Sequence, residues 1–254
     1  MGYITKEGLK ELDNYKYKPG KYTILDNIMN PYWEWCVKLV PTSVAPNVLT
    51  LAGWLLVIAS YANILRYDYT FKKDVPASAF FFAAFCIFAY STLDAIDGKQ
   101  ARRTKSGSPL GQLFDHGCDS FSLTFFVLGI CQATLIEKDE VFLIFIVSQV
   151  AFWTSNWSEH HTGILKTNLG QFGVTEAEYT VVIVHILTGI FGQHFWKFTL
   201  AQILPQSFSD IINIHPLINH YINEDIGTLI IHGFAVAILL VIVVGFFKTL
   251  YEAK

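Results

Sequence analysis

Apolar and polar positions along this chain fall into long blocks rather than short periods. Mostly apolar runs lie at roughly Ser43–Leu65, Ala77–Asp97, Leu110–Leu135, Val141–Trp157, Glu178–Trp196 and Asp225–Phe247. Each is near the ~20 residues that a helix needs to cross a bilayer. The blocks predict an all-α fold, a polytopic transmembrane helical bundle of about six spans. Residues 1–24 are polar and lack the apolar core of a cleavable signal peptide, so the first span is expected to direct insertion. The stretch L-D-N-I-M-N-P-Y-W-E-W-C-V-K-L-V-P, ending at Pro41, mixes Tyr32, Trp33 and Trp35 with Asp26, Glu34 and Lys38. That mixture suits an amphipathic helix lying in the membrane interface, the alternative being a helix packed on the core. The expected organisation is a cytoplasmic N-terminus with its interfacial helix over 1–42 and a transmembrane domain over 43–254. The stretch from Lys197 to Glu224, with Pro205, Pro216, His215 and His220, reads as a loop with partly apolar interfacial pieces.

Composition agrees with a membrane protein. Hydrophobic residues make up 52% of the 254, and charged residues only 15%, against about 25% in soluble domains. The distribution of charge is more informative than its net value. With a cytoplasmic N-terminus and six spans, Arg66, Lys72, Lys73, Lys138 and Lys197 fall outside, and the other thirteen of the 18 Lys and Arg fall inside. This asymmetry orients the chain. Cys36, Cys86, Cys118 and Cys131 show neither C-x-x-C pairing nor zinc spacing and are read as free thiols. No nucleic-acid partner is expected.

Four carboxylates interrupt the apolar pattern. Asp94 and Asp97 are three apart, and Asp115 and Asp119 four apart, so each pair shares a helix face. Carboxylates at the edge of a bilayer are costly without a partner. Two helices side by side would converge them into a cage for hard divalent cations. Two ions so held would suit phosphoryl transfer. Gly98 and Ala101 share the Asp94–Asp97 side and leave room for a ligand against the backbone. Arg102, Arg103 and Lys105 offer charge to phosphate oxygens. Gly107, Ser108 and Pro109 make a turn into the next helix, whose first turn includes Gly111.

The joint pattern D-x2-D-G-x2-A-R-x8-G-x3-D-x3-D, from Asp94 to Asp119, resembles the signature of the class-I CDP-alcohol phosphatidyltransferase family at every position. The longer strings Y-S-T-L-D-A-I-D-G-K-Q-A-R-R-T and S-P-L-G-Q-L-F-D-H-G-C-D-S are similar to the eukaryotic choline/ethanolamine phosphotransferases, as are Y-W-E-W, V-P-T-S-V-A-P-N-V-L-T, T-G-I-L and V-T-E-A-E-Y. The similarity runs from about Leu12 to about Trp196.

The resemblance implies that Asp94, Asp97, Asp115 and Asp119 hold two Mg²⁺ or Mn²⁺ ions. It implies that Asn47, Gly98, Ala101, Arg102 and Gly111 form the nucleotide site. His116 and Glu176 would be the base dyad: a His beside the metals can take the acceptor's proton, and a carboxylate can orient it. The implied reaction joins phosphocholine or phosphoethanolamine, from CDP-choline or CDP-ethanolamine, to diacylglycerol and releases CMP. The implied location is the endoplasmic reticulum or Golgi.

Some positions depart from that branch. Gln112 replaces a Glu, and Asn156, Ser158 and His160 stand where relatives carry H-W-(E/Q)-x-Y. Relatives also carry further spans that contribute to a homodimer, whereas this chain stops at Lys254. The alternative reading is therefore a lipid-binding accessory subunit of a larger membrane complex, with the mitochondrial inner membrane as a location. An Asp-rich prenyltransferase is disfavoured, because those motifs are spaced differently and lack D-G-x2-A-R. His160 and His161 are expected in a loop, and His185 and His232 as helix-packing residues.

Overall fold

The computed structural model describes residues 4–14, 18, 20–165, 168, 172–204 and 216–252. Lys16, Lys166, Pro205, His215 and Lys254, used above, lie outside them. The described elements are α1 (Lys6–Asn14), α2 (Ile24–Leu39), α3 (Pro46–Leu65), α4 (Ala77–Thr104), α5 (Pro109–Thr134), α6 (Lys138–Thr162) and α7 (Val174–Phe191). A 3₁₀ turn (Gln193–Lys197), α8 (Leu200–Ile203), α9 (Pro216–Asn223) and α10 (Ile226–Glu252) follow. No strand occurs among the described residues.

Five of these helices, α3, α4, α6, α7 and α10, are long and apolar enough to cross a membrane. The remaining expected span, α5, has 26 residues, about 39 Å at 1.5 Å per residue. It matches the others in length, but Asp115, Asp119 and the buried Gln132 lower its apolar content. Boundaries also move. The helix α4 runs seven residues past the expected span end at Asp97, which carries Gly98 and Ala101 on it as expected, and α7 starts four residues early and ends at Phe191, before Gly192 at φ +80°. His160 and His161 lie in the last turn of α6.

Local signals explain the ends. Thr23 and Asp26 cap α2 reciprocally, Asp26 N–H to Thr23 Oγ1 at 3.1 Å and Thr23 N–H to Asp26 Oδ2 at 2.8 Å. Proline opens α3 and α5, where its missing N–H is harmless. Lys105, in the left-handed region, closes α4 with Ser106 N–H donating to Ala101 O at 3.0 Å. Ser108 Oγ then accepts from Gly111 N–H at 3.0 Å and starts α5.

The core packs α4 against α3 and α7, with α5 touching both of those and α6, and with α10 on α6. α2 buries Trp33 and Val37 against Leu49 and Ile96 while exposing Ile28, Trp35 and Leu39. The packed face agrees with a helix docked on the core, the alternative weighed from the sequence. At this end Thr175 Oγ1 donates to Asp26 Oδ1 at 2.6 Å, joining α7 to α2. His185 is a packing residue as expected, buried with its Nδ1 2.8 Å from Val181 O. His232 lies 3.5 Å from Glu140 Oε1.

The opposite end is tied by Asp68, which is 1% exposed. It accepts from Thr70 N–H at 2.7 Å, Thr70 Oγ1 at 2.5 Å, Lys72 N–H at 2.7 Å, Lys73 N–H at 2.9 Å and Gln132 Nε2 at 2.9 Å. Gln193 extends the network, donating to Gln132 O at 2.8 Å and accepting from Val75 N–H at 2.7 Å. Burial alone would raise the Asp68 pKa, but the bonds from Thr70, Lys73 and Lys72 hold it well below the carboxylate range. Its folded pKa is thus depressed. The stability it gives is full above the unfolded value of ~3.9 and is lost as pH falls below that. Asp68→Ala is expected to cost ~3 kcal/mol, since it orphans several donors. In thermal unfolding of the detergent-solubilised protein, the gap between wild type and Asp68→Asn should narrow as pH drops below ~4.

Candidate active site

The carboxylates sit where α4 and α5 diverge. Both helices pack on α3 and on α7, which leaves a gap between them. Into that gap Asp94, Asp97 and Asp115 each bring an oxygen, all within 4.8 Å of one another. Thr50 of α3 donates its hydroxyl to Asp97 Oδ2. Oδ1 of Asp94 and Oδ1 of Asp115 are buried without a hydrogen-bond partner among the described residues. Buried, unpaired carboxylate oxygens this close repel strongly unless protonated or bound to a cation. The all-oxygen donor set fits a hard divalent ion such as Mg²⁺ or Mn²⁺.

Asp119 is not in that tightest group but adjoins it, beside Asp94. It lies one turn further along α5 and accepts from the Tyr90 hydroxyl at 2.8 Å. Tyr90 is itself buried, one turn before Asp94, against Gly53 of α3, where an added Cβ would meet its ring at 3.1 Å. The four carboxylates are thus gathered in one place, three of them within 4.8 Å of one another and the fourth beside Asp94 and bonded to Tyr90.

The other expected residues gather around this cluster. Asn47, near the start of α3, faces Gly111, near the start of α5. A Cβ on Gly111 would stand 3.3 Å from Ser108 Oγ and 3.5 Å from Asn47 Oδ1. At Gly98 a Cβ would meet only the Arg102 guanidinium, at 3.5 Å. The backbone of α4 is therefore open there. Ala101 is half-buried and Arg102 exposed. Two helix N-termini and an arginine at one end of the gap suit an anion.

Arg103 does something else. It donates to Val37 O at 2.7 Å and Val40 O at 2.8 Å, closing the C-terminus of α2. Lys99 likewise bonds Asn30 Oδ1 and Glu34 Oε1, both at 2.6 Å, and holds the Glu34 carboxyl below its ordinary pKa. These cations anchor α2.

His116 and Glu176 face different partners. His116 Nδ1 lies 3.1 Å from Asn156 Oδ1 on α6. Glu176 accepts from Gly173 N–H at 2.8 Å and Leu25 N–H at 3.3 Å, starting α7 and fastening it to α2. The carboxylate expected beside His116 is thus engaged with backbone.

A cavity of about 290 Å³ extends from the cluster between α5, α6, α7 and α10. Asp94, His116, Asp119 and Tyr90 line one part, and Leu123, Phe126, Val127, Ile130 and Ile231 the apolar remainder. Glu178, only 6% exposed, also lines it. Sequence reasoning gave no site role to Tyr90 or Glu178 and marked Asn156 only as a departure from the branch. Of these, Glu178 carried a signal, an acid just inside an apolar span.

Comparisons with known proteins identify the family. Residues 43–209 match the family model described as CDP-alcohol phosphatidyltransferase. An uncharacterised CDP-alcohol phosphatidyltransferase class-I family protein 2 of Dictyostelium discoideum is 40% identical over 198 residues, covering 77% of this chain and 48% of that protein. Cholinephosphotransferase 1 of Danio rerio is 38% identical over 191 residues (74% and 50%), and that of Homo sapiens 34% identical over 194 residues (76% and 47%). The chain spans about half the length of these relatives.

A divalent cation at the trio should stabilise the fold by mass action, by ~2.7 kcal/mol at a hundred times its Kd. Mn²⁺ is expected to raise the midpoint of thermal unfolding in detergent. Asp97→Asn should remove most of that rise, and Arg103→Gln should keep it from a lower starting midpoint.

Proposed function

The chain belongs to the CDP-alcohol phosphatidyltransferase family, and from that membership we propose that it transfers phosphocholine or phosphoethanolamine from the CDP-alcohol to diacylglycerol, giving phosphatidylcholine or phosphatidylethanolamine and CMP. The observation carrying this reading is the continuity of the acidic cluster with an apolar cavity inside a membrane protein. A water-soluble nucleotide and a lipid must meet at the reacting phosphorus. Here an anion-friendly helix end and a lipid-compatible cavity share one wall.

Asp94, Asp97, Asp115 and Asp119 would hold divalent cations, two on the family resemblance. The cations would bind the pyrophosphate oxygens and offset the charge that develops on CMP. Arg102 and the open backbone at Gly98 and Ala101 receive the nucleotide phosphates, and Asn47 beside Gly111 contacts the nucleoside. The diacylglycerol hydroxyl enters from the cavity beside His116. His116 takes its proton as the oxygen attacks the phosphorus bearing the amino alcohol. The bond between that phosphorus and the bridging oxygen breaks, and CMP departs. Glu176 fixes the first turn of α7 to α2 and keeps the cavity wall at Gly173 in place. The carboxylate end faces the cytoplasm, where CDP-alcohols dissolve, and the location is the endoplasmic reticulum or Golgi.

Purified protein in detergent with Mn²⁺ or Mg²⁺, diacylglycerol and radiolabelled CDP-choline or CDP-ethanolamine is expected to yield labelled phospholipid. Asp115→Asn should abolish turnover, and His116→Ala should lower kcat by ~10²–10⁴-fold. A wild type silent with both donors, or an Asp115→Asn variant that matches it, rules the reading out.

A further inference from the structure

We infer that Asn156 is the residue that positions His116, by fixing which imidazole nitrogen carries the proton. The inference rests on the reading of His116 as the proton acceptor and goes beyond it. Both side chains line the cavity. The amide of Asn156 is itself oriented, because its Nδ2 donates to Phe152 O at 2.9 Å, one turn back on α6. Its Oδ1 is therefore the atom turned to His116, at 3.1 Å from Nδ1. An amide oxygen can only accept. Nδ1 must then supply the hydrogen, and the neutral ring carries its lone pair on Nε2. That is the tautomer a base needs if Nε2 is to meet the acceptor hydroxyl.

Two neighbouring contacts hold this arrangement. The Phe152 ring stands edge-on to the imidazole, with centroids 6.5 Å apart and planes at 79°. One turn earlier on α5, Gln112 Nε2 donates to Glu159 Oε1 at 2.9 Å and sets the register of α5 against α6. A neutral partner also suits this place. Asp115 adjoins His116 in sequence, and Asp94 and Asp119 share its cavity. A further carboxylate against the ring would add to their repulsion. An amide fixes the tautomer without adding charge.

The test combines a spectrum with kinetics. ¹⁵N-histidine-labelled protein in micelles at alkaline pH should show His116 as the Nδ1–H tautomer, its signals identified by their loss in His116→Gln. Asn156→Leu should turn that signal into a mixture with Nε2–H, and Asn156→Asp, which keeps an acceptor, should restore Nδ1–H. In the transferase assay, Asn156→Leu should lower kcat about 10- to 100-fold, a fraction of what a general base supplies, with KM for the CDP-alcohol within about twofold. Asn156→Asp should recover much of the loss. A wild-type spectrum dominated by Nε2–H overturns the inference without any variant. So does an Asn156→Leu protein with an unchanged tautomer or unchanged kcat. A wild type showing the expected tautomer but no transfer sinks the proposed reaction and leaves the positioning role standing.

Discussion

Carboxylates that share one dry volume must be neutralised, and the bundle meets that requirement differently at its two ends. Asp68 is surrounded by donors from its own loop and from Gln132, so its charge is fully engaged and it ties the loop to α5. At the other end, Thr50 and Tyr90 supply single hydroxyls to Asp97 and Asp119, while Asp94 and Asp115 each keep a buried oxygen without a donor. The first arrangement stabilises a fold. The second carries unpaired charge that the protein's own donors do not offset, which is the condition for binding a cation.

Holding that unpaired charge places demands on the surrounding helices. α4 and α5 must approach without closing, and α3 and α7 serve as spacers on both. Close contacts at small residues keep the spacers tight. A Cβ on Gly189 of α7 would come 2.9 Å from the Phe81 ring of α4. Such contacts let backbones approach where no hydrophobic drive exists between helices in lipid. α2 then braces the cluster's end, received by Arg103 and Lys99 of α4 and by Glu176 of α7, while Gln100 of α4 holds the segment that follows α2 through Pro41 O and Val44 O.

The spans, the turn at Gly107–Pro109 and the pairing of aspartates along each helix were legible in the sequence, because they depend on run length, turn chemistry and helical periodicity. What stayed hidden depends on how one helix is rotated against another. Spacing places Asp115 and Asp119 on one face of α5 but does not say that Asp115 joins the tight group with Asp94 and Asp97 while Asp119 is shared between Asp94 and Tyr90. Residue type alone does not separate Arg102, exposed beside Gly98, from Arg103, which caps α2. Glu176 and Glu178, two residues apart, look alike in the sequence. The first turn of the helix directs one to backbone N–H groups, and the second lies deep enough to face the cavity. Asn156 was visible in the sequence as a departure from the branch, but its contact with His116 depends on how α5 and α6 pack.

These features converge on α5, whose polar residues keep it out of the set of plainly apolar spans. Read from its start, it presents Gly111 at the nucleotide end, then Asp115 and His116 one turn on, then Asp119 tethered to Tyr90, then Leu123, Phe126, Val127 and Ile130 along the cavity. Each step is about one turn, or ~5.4 Å. In the proposed reaction, that order would supply an anion site, charge control, a proton acceptor beside it and an apolar channel. A uniformly apolar helix would cross the bilayer more easily but could not join the two phases. The polarity that sets α5 apart from a plainly apolar span is the same polarity that, in the proposed reaction, would let one helix carry the path from nucleotide to lipid.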